Sequence, residues 1–493
     1  MDTTSMLAVV GLLILAYLYL RRKHVNLPPG PWLSVPILGS IPFLGKDLRK
    51  EALRLSKDFH SDVITVKLGP HLGVFLNSYA SIKAALSSED FTDRPDSIFF
   101  LVCEKQGVAS SDGNVWKEHR RLMLSVLRDM GMGKMAAEEK IREEVRQLIG
   151  EIRKLGCKRF DIGPLLNIAT ANVISATIVG QRYDYHDPEF LHYVTRFKEN
   201  LTLLPNDTIL AMYPSLRHLP GNLFNFGTIK RNIRSVFKFL EKHIKEHKER
   251  FDPGNISDFL DAYLVEKERQ DRNNPKNTFS DEQLKVVLAD LFVAGSETSA
   301  TTLQSAILFM IAHPEIQRKV QSEIDDFIGK DQIPTMHDRR NLPYAEATVL
   351  ETYRFSSLAG LGLPHSNQSR DVVFQNFTIP KGTMVIPNIW AIHRDPEVWK
   401  YPDVFDPRNF LGDDGSVVHK PELMPFAIGR RQCPGEGLAK MEVFIFFVTL
   451  LQKFTFSNPE GDTIPSLDGV FTTTNAPHPF KICVNPRSDD EAH

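Results

Sequence analysis

One cysteine, Cys433, stands between Gly429 and Gly435, directly behind the pair Arg430 and Arg431. An apolar pattern of helical spacing follows it: Leu438, Met441, Val443, Phe444, Phe446, Phe447, Leu450 and Leu451. Glycines let backbone approach a flat ligand closely. The helix after the cysteine turns its N-terminus toward the sulfur, so its dipole and free amides favour thiolate over thiol. Such a thiolate is a good iron ligand, and on haem iron it pushes electron density that favours O–O cleavage. A lone cysteine is also commonly a small buried hydrophobe, so its company decides its role.

Three other groupings supply that company. Ser280-Asp281-Glu282-Gln283 is a capping-box pattern, and the apolar run behind it extends to His313-Pro314. That is roughly 30 residues, or about 45 Å of helix, apolar on nearly all sides and so central to a large protein. Inside it lies Ala294-Gly295-Ser296-Glu297-Thr298-Ser299, polar where only core is expected. A threonine hydroxyl there can bond the carbonyl four residues back, at Ala294, and bend the helix; alone, it is equally a harmless kink. Trp116 and Arg120 are four apart and share a helical face; an indole N–H and a guanidinium fork could bind a carboxylate, or be a half-buried surface pair. Glu351 and Arg354 share a face too, as a clamp or as a surface pair worth under about 1 kcal/mol.

Phe426 to Gly435 resembles the Phe-x-x-Gly-x-Arg-x-Cys-x-Gly signature of the cytochrome P450 superfamily, with every fixed position met. Ala294 to Ser299 is similar to the Ala/Gly-Gly-x-Asp/Glu-Thr-Thr/Ser pattern of the family's distal helix. With the proline-rich hinge Leu27-Pro28-Pro29-Gly30-Pro31, Trp116-x-x-x-Arg120 and Glu351-x-x-Arg354, five motif groups stand in family order across essentially the whole chain. The resemblance is to the animal microsomal branch that oxidises drugs, steroids and fatty acids.

The resemblance implies a mainly α fold with a smaller β region, α+β in class, holding haem b between a long central helix and the cysteine loop. Cys433 is then the proximal thiolate, in a loop shaped by Phe426, Gly429 and Gly435. Trp116, Arg120, Arg431 and His365 neutralise the propionates, His365 as a basic side chain. Gly295 leaves room for dioxygen, and Thr298 relays protons supplied by Glu297 or ordered water. Glu351 and Arg354 form a buried clamp closed by Arg408, although the family often has Glu at that position and Arg where this chain has Asn409. Phe99, Val108, Phe292, Ala294, Leu358, Leu363 and Phe471 line the substrate pocket, and a hairpin tip at Val470-Phe471-Thr472-Thr473 covers it.

The implied reaction inserts one oxygen atom of O2 into a lipophilic substrate, by hydroxylation or epoxidation. No dinucleotide fingerprint is present, so electrons come from NADPH through a separate NADPH-cytochrome P450 reductase, with cytochrome b5 as an optional second partner. Lys117, Arg121, Arg128, Lys134 and Arg430 form the basic docking face. The alternatives are a haem-thiolate isomerase or dehydratase acting on a peroxide without reductase, and a non-enzymatic haem carrier or gas sensor. Intact Glu297 and Thr298 favour oxygen activation.

The supporting elements follow. Asp62 to Leu68 and Val74 to Asn77 read as a small sheet; Lys134 to Cys157 and Ile229 to Phe251 read as charged helices, and Phe197 to Phe226 as helices broken by Pro205, Pro214 and Pro220. Val372 to Phe377 and Met384 to Pro387 read as strands. The chain has 493 residues and a net charge of −2, with 42% hydrophobic and 24% charged residues. That composition suits one large globular body and excludes a basic nucleic-acid binder. Four widely spaced cysteines make neither a metal pair nor a disulfide framework, which points to a reducing compartment. Residues 1–20 read as an uncleaved membrane signal anchor near the lower length limit, and 21–31 as a basic, proline-rich hinge. Arg21, Arg22 and Lys23 keep residues 32–493, the catalytic domain, on the cytosolic face of the endoplasmic reticulum.

Overall fold

A computed structural model of the protein describes residues 11, 26–96, 103–130, 135–156, 158–206, 210, 212–274 and 276–487. The expected anchor (Gly11 apart), the basic part of the hinge, Phe99 and Lys134 lie outside those residues. The helices that matter here are α1 (Leu48–Asp58), α2 (Tyr79–Ser87), α3 (Gly113–Asp129), α4 (Met135–Leu155), α5 (Gly163–Ile178), α6 (Pro188–Asn206), α7 (Phe226–Glu249), α8 (Phe259–Asn273), α9 (Asp281–Ala312), α10 (Pro314–Phe327), α11 (Pro343–Ser356) and α12 (Glu436–Lys453). The strands are β1 (Val63–Leu68), β2 (His71–Leu76), β3 (His365–Ser366), β4 (Val372–Phe374), β5 (Phe377–Ile379), β6 (Met384–Pro387), β7 (Phe454–Ser457), β8 (Val470–Phe471), β9 (Asn475–Ala476) and β10 (Cys483–Pro486).

Four strands form one sheet in the order β1-β2-β6-β3, with β2 and β6 parallel and the other pairs antiparallel. Three two-stranded ribbons complete the β region: β4 with β5, β7 with β10, and β8 with β9. The expected strands at 62–68, 74–77 and 384–387 are here, as is the hairpin at 470–473, whereas the strand expected at 372–377 is broken by a turn at Gln375-Asn376, both with positive φ, into the antiparallel pair β4 and β5. Helix dominates the remainder, in an α+β arrangement.

The 32-residue α9 runs through the helical core. Ser280 caps it by accepting from the Gln283 N–H at 3.0 Å. The expected capping box is only half formed, because the Gln283 amide reaches across to Gly107, accepting its N–H at 3.1 Å and donating to its carbonyl at 3.0 Å. α5 lies tightly along α9. An added Cβ on Gly295 would come within 2.9 Å of the Ile174 side chain, and Thr170 on α5 donates to the Ser296 carbonyl at 2.8 Å. This corrects one expectation: Gly295 is required by the close approach of α5, and the space beside it is filled by Ile174 rather than held open for dioxygen. α12 packs between α4 and α9, apolar on nearly its whole surface.

Candidate active site

The cysteine loop is fixed from two directions. The Cys433 N–H donates to the Phe426 carbonyl at 3.0 Å, and the Gln432 N–H to Gly429 at 3.2 Å. Gly429 has φ +80°, and a Cβ there would fall 2.1 Å from the Leu86 carbonyl oxygen at the end of α2. No side chain fits without moving that backbone, so glycine is dictated twice over. The Arg430 N–H then donates to the same Leu86 carbonyl at 3.1 Å. Gly435 leaves the sulfur side open, since an added Cβ would lie 3.9 Å from Cys433 Sγ. Burial pushes the thiol up, while the Gly435 and Glu436 N–H groups at the start of α12 and the Arg120 guanidinium favour the thiolate. Phe426 lies beside the loop with its ring 5.5 Å from that of Tyr353.

Around the loop, positive charge is concentrated in the interior. The Arg431 guanidinium donates to the carbonyls of Thr92 (2.8 Å), Val108 (3.0 Å) and Ser111 (2.6 Å), reaches Asp112 at 3.3 Å, and stacks 4.1 Å over the Trp116 ring. Burial and the neighbouring Arg94 pull it down to about 8. Arg94 is buried too, donates to the carbonyls of Ala109, Leu363 and Pro364, and is pulled down to about 10 by burial. Arg120, one helical turn beyond Trp116 on α3, donates to the Gln432 carbonyl and is likewise lowered by burial. Arginine keeps its proton inside proteins, so these downward pulls express the desolvation of three neighbouring cations. Asp112 and Asp93 are carboxylates acting on Arg431, and Asp112 also serves Lys105 at 3.1 Å. Finally, the buried Trp116 Nε1–H has no acceptor. An orphaned donor among three crowded guanidiniums fits the carboxylates of a bound anion such as a haem propionate.

His365 differs from expectation. Its Nδ1 contacts the Phe91 carbonyl at 2.7 Å; a carbonyl only accepts, so Nδ1 carries the proton and Nε2 is a bare acceptor. Burial, then the charge of Arg94, pulls it down to about 3. It stands beside the arginines as a neutral imidazole and not as a cation.

On α9 the run Ala294–Thr298 interrupts an otherwise buried helix. Thr298 donates to the Ala294 carbonyl, as anticipated, and leaves Ala294 exposed mid-helix. Glu297 turns toward Thr301, 3.5 Å away, and burial raises its carboxyl while Lys198 lowers it. The carboxylate of Asp290, two turns earlier, accepts the N–H groups of Val108 (2.7 Å) and Ala109 (2.9 Å), and with Gln283 it fastens the loop that carries the Arg431 acceptors. Burial pushes Asp290 up to about 6.

Among the expected pocket residues, Ala294 is exposed, Leu358 is half-buried and Leu363 lies at the edge of exposure. Val108 is buried with its backbone in the Arg431 network. Phe292 packs into an aromatic cluster with Tyr193 (centroids 4.4 Å), Phe197 and Phe190. Phe471 on the β8–β9 hairpin lies 4.1 Å under the Arg49 guanidinium.

The clamp is also rearranged. Arg354 uses its whole fork: two bonds to Glu351 (2.7 and 2.6 Å) and four to the carbonyls of His393, Pro402, Tyr401 and Val404. Glu351 additionally accepts the Asp406 N–H at 2.8 Å and the Asn409 amide at 3.2 Å. Asn409, not Arg408, closes the clamp. The Arg408 side chain is 64% exposed and pairs with Asp406 beside Tyr401. A guanidinium following Pro407 points outward, and the shorter amide one residue on fits the space.

Sequence reasoning missed Arg94, Asp112, Asp290 and Asn409. The departure at 408–409 from the family pattern was the signal for Asn409, whereas the acids and Arg94 carried none outside their three-dimensional setting.

The family profile described as Cytochrome P450 matches residues 28–484. The chain is 35% identical to human cytochrome P450 2U1 over 503 residues, covering 96% of this chain and 92% of that protein. It is 37% identical to dog cytochrome P450 2D15 over 505 residues, covering 99% of each, and 35% identical to Drosophila melanogaster cytochrome P450 18a1, covering 94% and 88%.

Proposed function

This chain belongs to the cytochrome P450 family, as a haem b monooxygenase, and from that premise we propose that it is a membrane-anchored, reductase-fed enzyme that hydroxylates or epoxidises a lipophilic substrate. Haem b, when bound, supplies the reducible iron and, with a thiolate ligand, the O–O cleavage chemistry. Cys433 supplies the sulfur ligand; burial raises its thiol, and the amides at the start of α12 and Arg120 favour the thiolate against that burial. Trp116 Nε1–H and the guanidiniums of Arg431, Arg120 and Arg94 hold the propionates, and His365 takes up a proton as that negative charge arrives. Thr298 holds a transferable proton at Oγ1, and Glu297, raised by burial, restores it. Ala294, Leu358, Leu363 and Phe471 present an apolar surface that positions substrate and excludes water; such a surface discriminates weakly between similar lipids.

Electrons enter from a reductase docked on the side of the cysteine loop. Lys117, Arg121 and Arg128 are exposed along one face of α3, and exposed Arg430 adds to it, which suits an acidic partner. Among the described residues no helix is long and apolar enough to cross a membrane; the apolar run at 6–20, Gly11 apart, lies outside them. Membrane attachment is supported instead by exposed Trp32 (87%), Leu33, Ile37 (70%) and Phe43, with Leu219 alongside in the segment whose Tyr213 hydroxyl donates to the Ile37 carbonyl. Exposed large apolar side chains in such segments suit an interaction surface.

One observation carries the reading: a turn of a buried helix in which Ala294 is exposed and Glu297 and Thr298 are half-buried, the acid next to the alcohol. The test is a substrate-library screen for the spectral shift caused by displacing iron-bound water, in membranes with reductase, followed by turnover. Oxygenated product that requires NADPH and air is expected. A hydroperoxide consumed without NADPH overturns the proposal.

A further inference from the structure

The peptide group that joins Val108 to Ala109 is held at both ends by charge. Its N–H, that of Ala109, donates to the Asp290 carboxylate at 2.9 Å. Its C=O, that of Val108, accepts from Arg431 at 3.0 Å. One planar unit thus stands in line between an anion on α9 and a cation of the cysteine loop, its dipole aligned with both. Hydrogen bonds in such a chain polarise one another. The pattern recurs alongside: the Val108 N–H donates to Asp290 at 2.7 Å, and the Ala109 carbonyl accepts from Arg94 at 3.1 Å. The loop fits closely on the carboxylate, since an added Cβ at Gly107 would fall 2.3 Å from Asp290 Oδ2.

Arg431 shows what the chain is for. Its Nε donates to Thr92, one terminal nitrogen serves Ser111 and Asp112, and the other gives a single N–H to Val108. A guanidinium has five N–H donors, so the one left without an acceptor among the described residues is on the nitrogen that the Val108 carbonyl orients. The carboxylate in direct contact with Arg431 is Asp112, at 3.3 Å and shared with Lys105. Asp290 precedes Ala294 and Thr298 by one and two turns on the same face of α9, and it is half-buried there. Among the described residues no charged side chain pairs with it; Cys103, on the same loop, is the titratable group within its field, and Arg431 and Arg94 stand behind the two peptides.

We propose that Asp290 is a positioning residue for the cofactor: acting through the Val108–Ala109 peptide, it is a remote counter-charge for Arg431 and sets how firmly the propionate socket holds haem. The inference rests on the reading above that Arg431 holds a propionate. Gln283 fastens the same loop by two neutral bonds to Gly107, so the two side chains separate fastening from charge. Both restrain the loop, and Asp290 alone polarises the peptide that aims the unspent Arg431 donor.

The test compares wild-type, Asp290→Asn and Gln283→Ala holoenzymes. Asparagine keeps an acceptor oxygen for the loop amides and removes the charge. Haem transfer to an excess of a haem-scavenging apoglobin should be several-fold faster from Asp290→Asn than from wild type. The haem reduction potential should rise in Asp290→Asn, because an anion linked to the site is gone. Gln283→Ala should quicken hydrogen exchange at the Gly107 amide yet leave the potential where it is. In a double-mutant cycle, Asp290→Asn should add little to the haem loss of Arg431→Lys. Burial raises Asp290 to about 6, so wild-type haem loss should accelerate as pH falls through 6, a step absent from Asp290→Asn. Equal potentials in wild type and Asp290→Asn, or a pH step that persists in the variant, overturn the proposal. If Asp290→Asn releases haem too fast for potentiometry, Asp290→Glu, which restores the charge, must recover retention, and its failure to do so also overturns it. An Arg431→Lys holoenzyme that loses haem no faster than wild type sinks the propionate reading instead, and the potential of Asp290→Asn still decides whether Asp290 acts on the haem.

Discussion

Two buried charge clusters lie within this fold and are built on opposite plans. Around Arg354 every donor is matched: Glu351, four backbone carbonyls and the Asn409 amide close a network from which solvent is absent. Around Arg431 the guanidiniums of Arg94 and Arg120 crowd together, Asp112 is shared with Lys105, and the Trp116 indole has no acceptor at all. A satisfied buried pair holds a structure together, and breaking it strands a charge. An unsatisfied one costs stability until a ligand arrives. The first cluster is therefore internal framework, and the second fits the socket proposed above.

That contrast can be broken or sharpened by four measurements. The largest effect belongs to Cys433→Ser, which should abolish the thiolate-specific Soret band of the reduced, carbon monoxide-treated protein; a persisting band would remove Cys433 from the iron. Next, Glu351→Ala should destabilise the protein by about 3–5 kcal/mol by leaving Arg354 charged and unpaired. Arg408→Ala should change stability by no more than about 0.5 kcal/mol, as at an ordinary surface site. Chemical denaturation of both variants checks the pair, and equal losses would return Arg408 to the clamp.

Trp116→Phe tests the socket. Removing a donor that has no partner should leave the haem-free protein as stable as before or more so. Haem dissociation should accelerate roughly 10- to 100-fold, the worth of about 1.5–3 kcal/mol for a hydrogen bond to a charged group. Loss of apoprotein stability without faster haem loss would make Trp116 framework too. The smallest effect is a pH dependence. His365 is depressed to about 3 when folded against about 6.5 unfolded. The unfolded chain therefore binds the extra proton first, and the stability that neutral His365 contributes above pH 6.5 drains away as pH falls toward 3. Bound propionate raises the folded value and shrinks the loss. Acid melts should therefore fall more steeply for apoprotein than for holoprotein, and the difference should disappear in His365→Phe.

The same two clusters show what can be read from a sequence. Spacing alone brought Glu351 to Arg354 and Trp116 to Arg120, because both pairs lie on single helices with fixed geometry. The partners that complete each cluster come from distant loops: Asn409 from beyond α11, Arg94 and Asp112 from either side of a long connection. Sequence spacing carries no information about those meetings. The reading of α9 succeeded because its cap and apolar run are local, yet it could not see the packing of Gly295 against α5 or of Phe292 against α6. α5 itself was not foreseen. It is buried on almost every side and mixes alanine and isoleucine with Asn167, Thr170, Asn172 and Ser175, so no polar stripe marks its helical period.

The contact between Gly429 and Leu86 constrains how this protein can vary. Because a methyl group at 429 would overlap a carbonyl belonging to the small-sheet region, the height of the sulfur is set by an element more than three hundred positions away. Any drift in that strand-and-helix unit is passed on to the loop that carries Cys433, so position 429 and the Leu86 backbone can change only together.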